Sequence, residues 1–127
     1  MPKVHYKENN FDIDLEFGHK GEDWVVRLFE GNSKVEVKTE RGIWRETGNI
    51  AIEIRHKNKP SGLSTTDAGT WIHLLEHDGK IVGGFLLPVD YLKKRVKQLL
   101  PLDLIKIVKG GDNNDSTLLL IPIEYIY

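Results

Sequence analysis

Glu36 and Lys38 stand two residues apart in the β-branched run "KVEVKTE", an acid and a base aimed in one direction. Successive side chains of a strand point to opposite sides, so these two share a face and Val35 and Val37 take the other. A carboxylate beside an ammonium can hold a hard divalent cation next to a water molecule, the pairing that phosphodiester hydrolysis needs. The metal neutralises phosphate and lowers the pKa of bound water, while the lysine orients that water or supports developing negative charge. By itself Glu-x-Lys also describes an ordinary solvated charge pair on a surface strand.

The rest of the composition narrows the chemistry. Cysteine is absent, which removes disulfides, thiolate zinc sites and cysteine nucleophiles together. Carboxylates, histidine and backbone oxygen remain as ligands, so the metal to expect is magnesium or manganese. His56, His73 and His77 lack a recognised metal spacing and read as structural or surface histidines. A formal charge of -1 argues against a protein that simply coats nucleic acid. The signs are nevertheless segregated. Acids crowd the N-terminal quarter, while Lys34, Lys38, Arg41, Arg45, Arg55, Lys57 and Lys59 gather in the middle and Lys93, Lys94, Arg95 and Lys97 form a second basic cluster. At 127 residues the chain has room for one core, a single domain over 1–127. No apolar run approaches the ~18 residues of a membrane helix, and "MPKVHYKENN" lacks a signal peptide's apolar stretch, so a soluble, intracellular and cytoplasmic protein with no membrane partner is expected.

The elements that would position the pair follow from periodicity. "FDIDLEF" alternates apolar and acidic residues as a short edge strand or extended arm does. In "GHKGEDWVVRLFEG" the apolar residues Trp24, Val25, Leu28 and Phe29 recur at helical spacing, which puts Glu22 in the first helical turn. "KVEVKTE" and "NIAIEIR", joined by "RGIWRETG", suggest an antiparallel pair in which Ile50, Ile52 and Ile54 share a face opposite Glu53. "KNKPSGLS" reads as a loop, and "TTDAG" as one helical turn capped by Thr65 or Thr66. Asp78-Gly79 signals a hairpin between "TWIHLLE" and "KIVGGFLL". A helix opening at Pro88 follows, with Leu92, Val96, Leu99 and Leu100 as its stripe and Pro101 as its stop. "LIKIVK", the turn-rich "GGDNNDS" and "TLLLIPIEYIY" close an α/β fold around a mixed sheet.

With Glu22 added to Glu36 and Lys38, the pattern "GHKGEDW", "VEVKTER", "TGNIAIEI", "KPSGLSTTDAGTW" and "GGDNND" resembles a small branch of the PD-(D/E)xK nuclease superfamily, the phage-type and Holliday-junction-resolvase-like nucleases. The resemblance covers most of the chain. It implies a restriction-endonuclease-like core, a mixed central β-sheet flanked by helices, and magnesium- or manganese-dependent cleavage of DNA, including branched or flap substrates. It also implies Glu36 as a metal ligand, the carbonyl of Val37 as a further one, Lys38 beside the attacking water, and Glu22 as the helix carboxylate at the metal. The pattern departs from the family at the aspartate that usually precedes Glu-x-Lys. Glu53 is the first candidate to replace it, Asp14 the second and Glu30 the third.

DNA contacts are expected at three places. Arg41, Trp44 and Arg45 would lie at the hairpin tip, where an indole between arginines can stack on a base. Ser61, Ser64, Thr65 and Thr66 offer hydroxyls to phosphate, and Lys93 and Lys94 can follow a backbone. Thr47-Gly48-Asn49 shapes the start of the second strand, and Gly110-Gly111 a tight turn. A homodimer is compatible with these features. Two other readings remain, a catalytically inactive nucleic-acid-binding module on the same fold and a protein-interaction domain.

Overall fold

"VEVKTE" forms a strand, β1 (Val35–Glu40), whose hydrogen-bonded neighbour lies far along the chain. The structure, a computed structural model, describes residues 8–29 and 34–127, and the chain divides into two compact units, Met1–Ser33 and Lys34–Tyr127.

The first unit contains the helix α1 (Glu8–Phe29). "FDIDLEF", expected to be extended, is therefore helical, and Glu22 sits in the later half of a long helix instead of in a first turn. Seven alternating residues also contain the i,i+4 pairs Phe11/Leu15 and Ile13/Phe17, so the period-two pattern did not exclude a helix. Further along, Lys20 Nζ lies 3.9 Å from Glu16 Oε1 and 5.5 Å from the Phe17 ring centroid, neighbours that only a helix brings together.

The second unit is an α/β arrangement with seven strands in two sheets. After β1 come a helical turn α2 (Trp44–Thr47), β2 (Asn49–His56), the two-residue β3 (Lys59–Pro60), β4 (Thr70–His77), β5 (Lys80–Pro88), the helix α3 (Val89–Leu99), β6 (Lys106–Gly110) and β7 (Ser116–Pro122). One sheet has the order β1-β4-β5, the other β3-β2-β7-β6. The first is mixed: β1 runs parallel to β4, and β4 antiparallel to β5. The strands thus fall into two sheets where a single central one was expected.

The expected β1/β2 hairpin does not form. Residues 41–48 are too many for a tight turn, and they build a corner instead. The Gly42 N–H donates to the Glu76 carboxylate at 2.9 Å and the Trp44 indole N–H to the Glu76 carbonyl at 2.7 Å, tying this corner to the end of β4. Gly48, with φ +73°, ends α2 by donating its N–H to the Trp44 carbonyl, and Thr47 Oγ1 accepts the Asn49 N–H. The "TGN" signal for the start of β2 holds for that reason.

Local signals elsewhere are realised. Asp78 and Gly79 both have positive φ and join β4 to β5. On α3, Val89, Leu92, Val96 and Leu99 are buried, whereas Leu100 lies in the following 3₁₀ turn and is exposed. That stripe shares a core with Ile50 and Ile52 of β2, Leu119 and Ile121 of β7, and Trp71 of β4. "TTDAG" does not become a helical turn; a 3₁₀ turn forms earlier, at Gly62–Ser64, and Thr66 Oγ1 accepts the Ala68 N–H. Among the described residues no helix is long and apolar enough to cross a membrane.

Candidate active site

Parity along β1 puts Glu36, Lys38 and Glu40 on one face, and the parallel register sets Glu36 beside Trp71 and Lys38 beside His73 on β4. Lys38 Nζ lies 3.6 Å from Glu36 Oε1, and both side chains are partly exposed. Lys38 and Glu40 look into a cavity of about 690 Å³ whose wall also includes Glu53, Ala51, Trp71, His73 and Arg41. The two strands expected to form one hairpin therefore meet across a cavity.

Glu53 reaches that cavity by the same alternation that places Ala51 in its wall, and β2 becomes irregular just beyond it. Its pairing with β7 shifts register between Glu53 and Arg55, a bulge of the kind that re-aims a side chain. The loop carrying Ser61 lies directly against the bulge at Gly62, where φ is +53° and an added Cβ would stand 2.1 Å from the Glu53 carbonyl oxygen. Only glycine tolerates both the left-handed backbone and that approach. The contact brings the Ser61 hydroxyl to Glu53 Oε2 at 3.0 Å, while Ser116 of β7 donates to Glu53 Oε1 at 2.7 Å.

These bonds set the charge. The Ser116 hydrogen bond is the largest cause holding the Glu53 carboxyl below its ordinary value; partial burial opposes it, and Ser61, His56 and Lys38 reinforce it. Ser116 has one hydroxyl proton, and an ionised Glu53 can only accept. His56 Nδ1, 2.9 Å from Ser116 Oγ, is therefore the donor in that contact.

The remaining expected residues are distributed as follows. Glu22 is exposed on α1, its carboxylate 3.5 Å from His19 Nδ1. Asp14 lies within the same helix, and Glu30 falls outside the described residues. Val37 is on the edge strand β1, its side chain facing away from Glu36. Arg41 and Arg45 are exposed at the corner, not at a hairpin tip, and Trp44 packs against the core with its N–H already used. Ser61 is engaged with Glu53, Thr65 is exposed, and Thr66 caps its own turn. On α3, Lys94 is exposed, and Lys93 and Lys97 border a groove of about 330 Å³ floored by Ile54, Leu63, Val96 and Leu119.

Sequence reasoning did not single out Glu40, Trp71 or Ser116, and it read His73 only as a structural or surface histidine. Glu40 was within reach, since the parity that joins Glu36 to Lys38 extends to it. Ser116 had no local signal, because its partner Glu53 lies on a different strand.

Comparison with protein-family models, with curated proteins and with solved structures finds no match to this chain. Among the described residues no three His, Asp or Glu side chains converge as a ready-made metal site. The donor chemistry nevertheless suits a hard cation. Glu53 is held ionised, Glu36 is partly exposed, and both are oxygen ligands of the type magnesium and manganese take.

Proposed function

We propose that this chain is a divalent-metal-dependent phosphodiesterase acting on DNA, built on a restriction-endonuclease-like core. What supports the reading most is Lys38: its ammonium is 3.6 Å from Glu36 on its own strand and faces the cavity that Glu53 lines from another. An ammonium beside one carboxylate, facing a cavity that a second carboxylate lines, is an arrangement for placing a phosphate and a water together. Glu36 and Glu53 would hold magnesium or manganese, which supplies charge neutralisation and a more acidic water. Lys38 orients that water by hydrogen bonding and faces the charge that develops on the phosphoryl oxygens. Ser61 and Ser116 keep Glu53 pointed inward and deprotonated. The role expected for the Val37 carbonyl belongs to the same proposal, as do the DNA contacts at Arg41, Arg45 and Lys93, Lys94 and a symmetric pair of copies.

The decisive experiment incubates the protein with labelled duplex, single-stranded, flap and four-way-junction DNA in magnesium, manganese or chelator, beside Glu36→Gln and Lys38→Ala. Metal-dependent cutting by the wild type, lost in both variants, is the expected result. A second reading, a module that binds nucleic acid without cutting it, is favoured by the absence of a three-ligand cluster among the described residues. Binding of the same DNAs with no cleavage in either metal would select it.

A further inference from the structure

The proposed site is split between strands that share no ladder. β1 carries Glu36 and Lys38 and pairs with β4, whereas β2 carries Glu53 and pairs with β3 and β7. Backbone pairing therefore leaves the spacing between the two halves unset.

A chain of hydrogen bonds crosses that gap. The Trp71 indole N–H donates to His73 Nδ1 at 3.1 Å, His73 Nε2 lies 2.9 Å from Glu40 Oε1, and the same oxygen accepts the Ala51 backbone N–H at 2.7 Å. An indole nitrogen is only a donor, so His73 Nδ1 must accept. The imidazole proton is then on Nε2 and points at Glu40. The two rings lie within 13° of parallel with centroids 6.4 Å apart. Trp71 and His73 are 1% and 2% exposed, so water does not compete for these bonds.

The positions of the two ends matter as much as the bonds. Glu40 lies two residues beyond Lys38 on the same face of β1, and Ala51 lies two residues before Glu53 on the same face of β2. The bridge thus joins both strands one side-chain repeat away from the groups whose separation the chemistry depends on. We infer that Glu40 is a positioning residue: anchored from behind by Trp71 and His73, it sets the distance between Lys38 and Glu53 by the length of its side chain. The inference rests on the reading of Lys38 and Glu53 as site residues. No role in touching substrate or metal is assigned to Glu40.

Length and charge can be separated by substitution. Glu40→Gln keeps the length and an oxygen able to accept from both His73 and Ala51, and gives up the charge. Glu40→Asp keeps the charge and withdraws the oxygen by one methylene. The test measures manganese affinity by paramagnetic resonance of the free ion, cleavage of the preferred DNA, thermal midpoint, hydrogen exchange at the Ala51 amide, and the His73 tautomer by long-range proton–nitrogen correlation.

The expected result is an Nε2–H tautomer in the wild type, near-wild-type metal affinity and Ala51 protection in Glu40→Gln, and a loss of about 10- to 100-fold in metal affinity or cleavage in Glu40→Asp, as for other groups that orient a ligand from behind. The reverse order, with aspartate tolerated and glutamine not, would make Glu40 a charged participant and overturn the inference. So would an Nδ1–H tautomer, or an Ala51 amide that exchanges freely in the wild type. Exchange and tautomer are read without metal or DNA. A wild type that binds neither therefore sinks the phosphodiesterase reading, while the bridge is still decided by Ala51 protection retained in Glu40→Gln and lost in Glu40→Asp.

Discussion

Two serine hydroxyls, one on each oxygen, make Glu53 unlike the other acids of the described chain, and its stability contribution depends on pH in a defined direction. Its folded pKa lies below the ordinary carboxylate value, so the stabilisation is present above that ordinary value and is lost as pH falls through the folded one. Ser116→Ala removes the largest cause. We expect it to cost about 1.5–3 kcal/mol near neutral pH, the usual worth of a hydrogen bond to a charged group. The difference from wild type should shrink in acid, where Glu53 is protonated in both proteins. Urea unfolding at a series of pH values falling from about 7 follows the gap, and a gap that stays constant down to acid unfolding would mean that Ser116 does not serve an ionised carboxylate. Lys38→Ala, by contrast, removes a half-exposed side chain. It should leave stability within about 0.5 kcal/mol of wild type while abolishing cleavage, and full activity in that variant would take Lys38 out of the chemistry. At this scale the sequence was informative about direction and silent about partners. Alternation put Glu36 with Lys38 and turned Glu53 away from Ile50 and Ile52, because parity is a property of one strand. The hydroxyls that hold Glu53 come from elsewhere, and no local pattern announces them.

Elements whose cause is local were legible for the same reason. Asp78-Gly79 dictates a reverse turn, and the Leu92, Val96, Leu99 spacing dictates a buried helix face. The partner of β1 was not legible. Proximity in sequence favoured β2, but the corner at 41–48 is anchored to Glu76 and delivers β1 alongside β4. The acidic run of α1 likewise had two periods in it, and the helical one is realised. Element geometry also yields a sharp prediction at Gly62, where the 3₁₀ turn meets the β2 bulge. Gly62→Ala places a methyl group 2.1 Å from the Glu53 carbonyl oxygen, at a backbone angle that alanine disfavours. Because the obstacle is backbone and cannot rotate away, the cost should be at least about 3 kcal/mol, at the severe end for single substitutions. A shift in urea midpoint equivalent to less than about 1 kcal/mol would show that the loop can lift off the strand. Gly79→Ala, with open space around its Cβ position, should cost only the backbone strain of its positive φ, and so serves as the comparison.

For the molecule as a whole, a formal charge of -1 makes any attraction to DNA a matter of where the cations sit. Two groups stand out among them, Arg41 with Arg45, both exposed at the corner, and half-buried Lys93 with exposed Lys94 on α3. Not every nearby cation is free to join them. Arg95 donates from Nε to the Tyr125 carbonyl at 2.7 Å and from a terminal nitrogen to Gln98 at 3.3 Å, so it fastens the C-terminal turn to α3. Each phosphate neutralised by a lysine or arginine contributes about 0.9 to the slope of log affinity against log salt for duplex DNA. Lys93→Ala with Lys94→Ala should therefore flatten that slope by roughly two units, and Arg41→Ala with Arg45→Ala by a similar amount, if both groups face the backbone. Arg95→Ala should leave the slope alone and lower the thermal midpoint. Fluorescence anisotropy of a labelled duplex across a salt series reads all three. A slope that responds to the corner pair but not to the α3 pair would confine DNA to the cavity side of the molecule. A slope that responds to neither would remove these residues from the interface, and with them the support that segregated charge lends to a nucleic-acid partner.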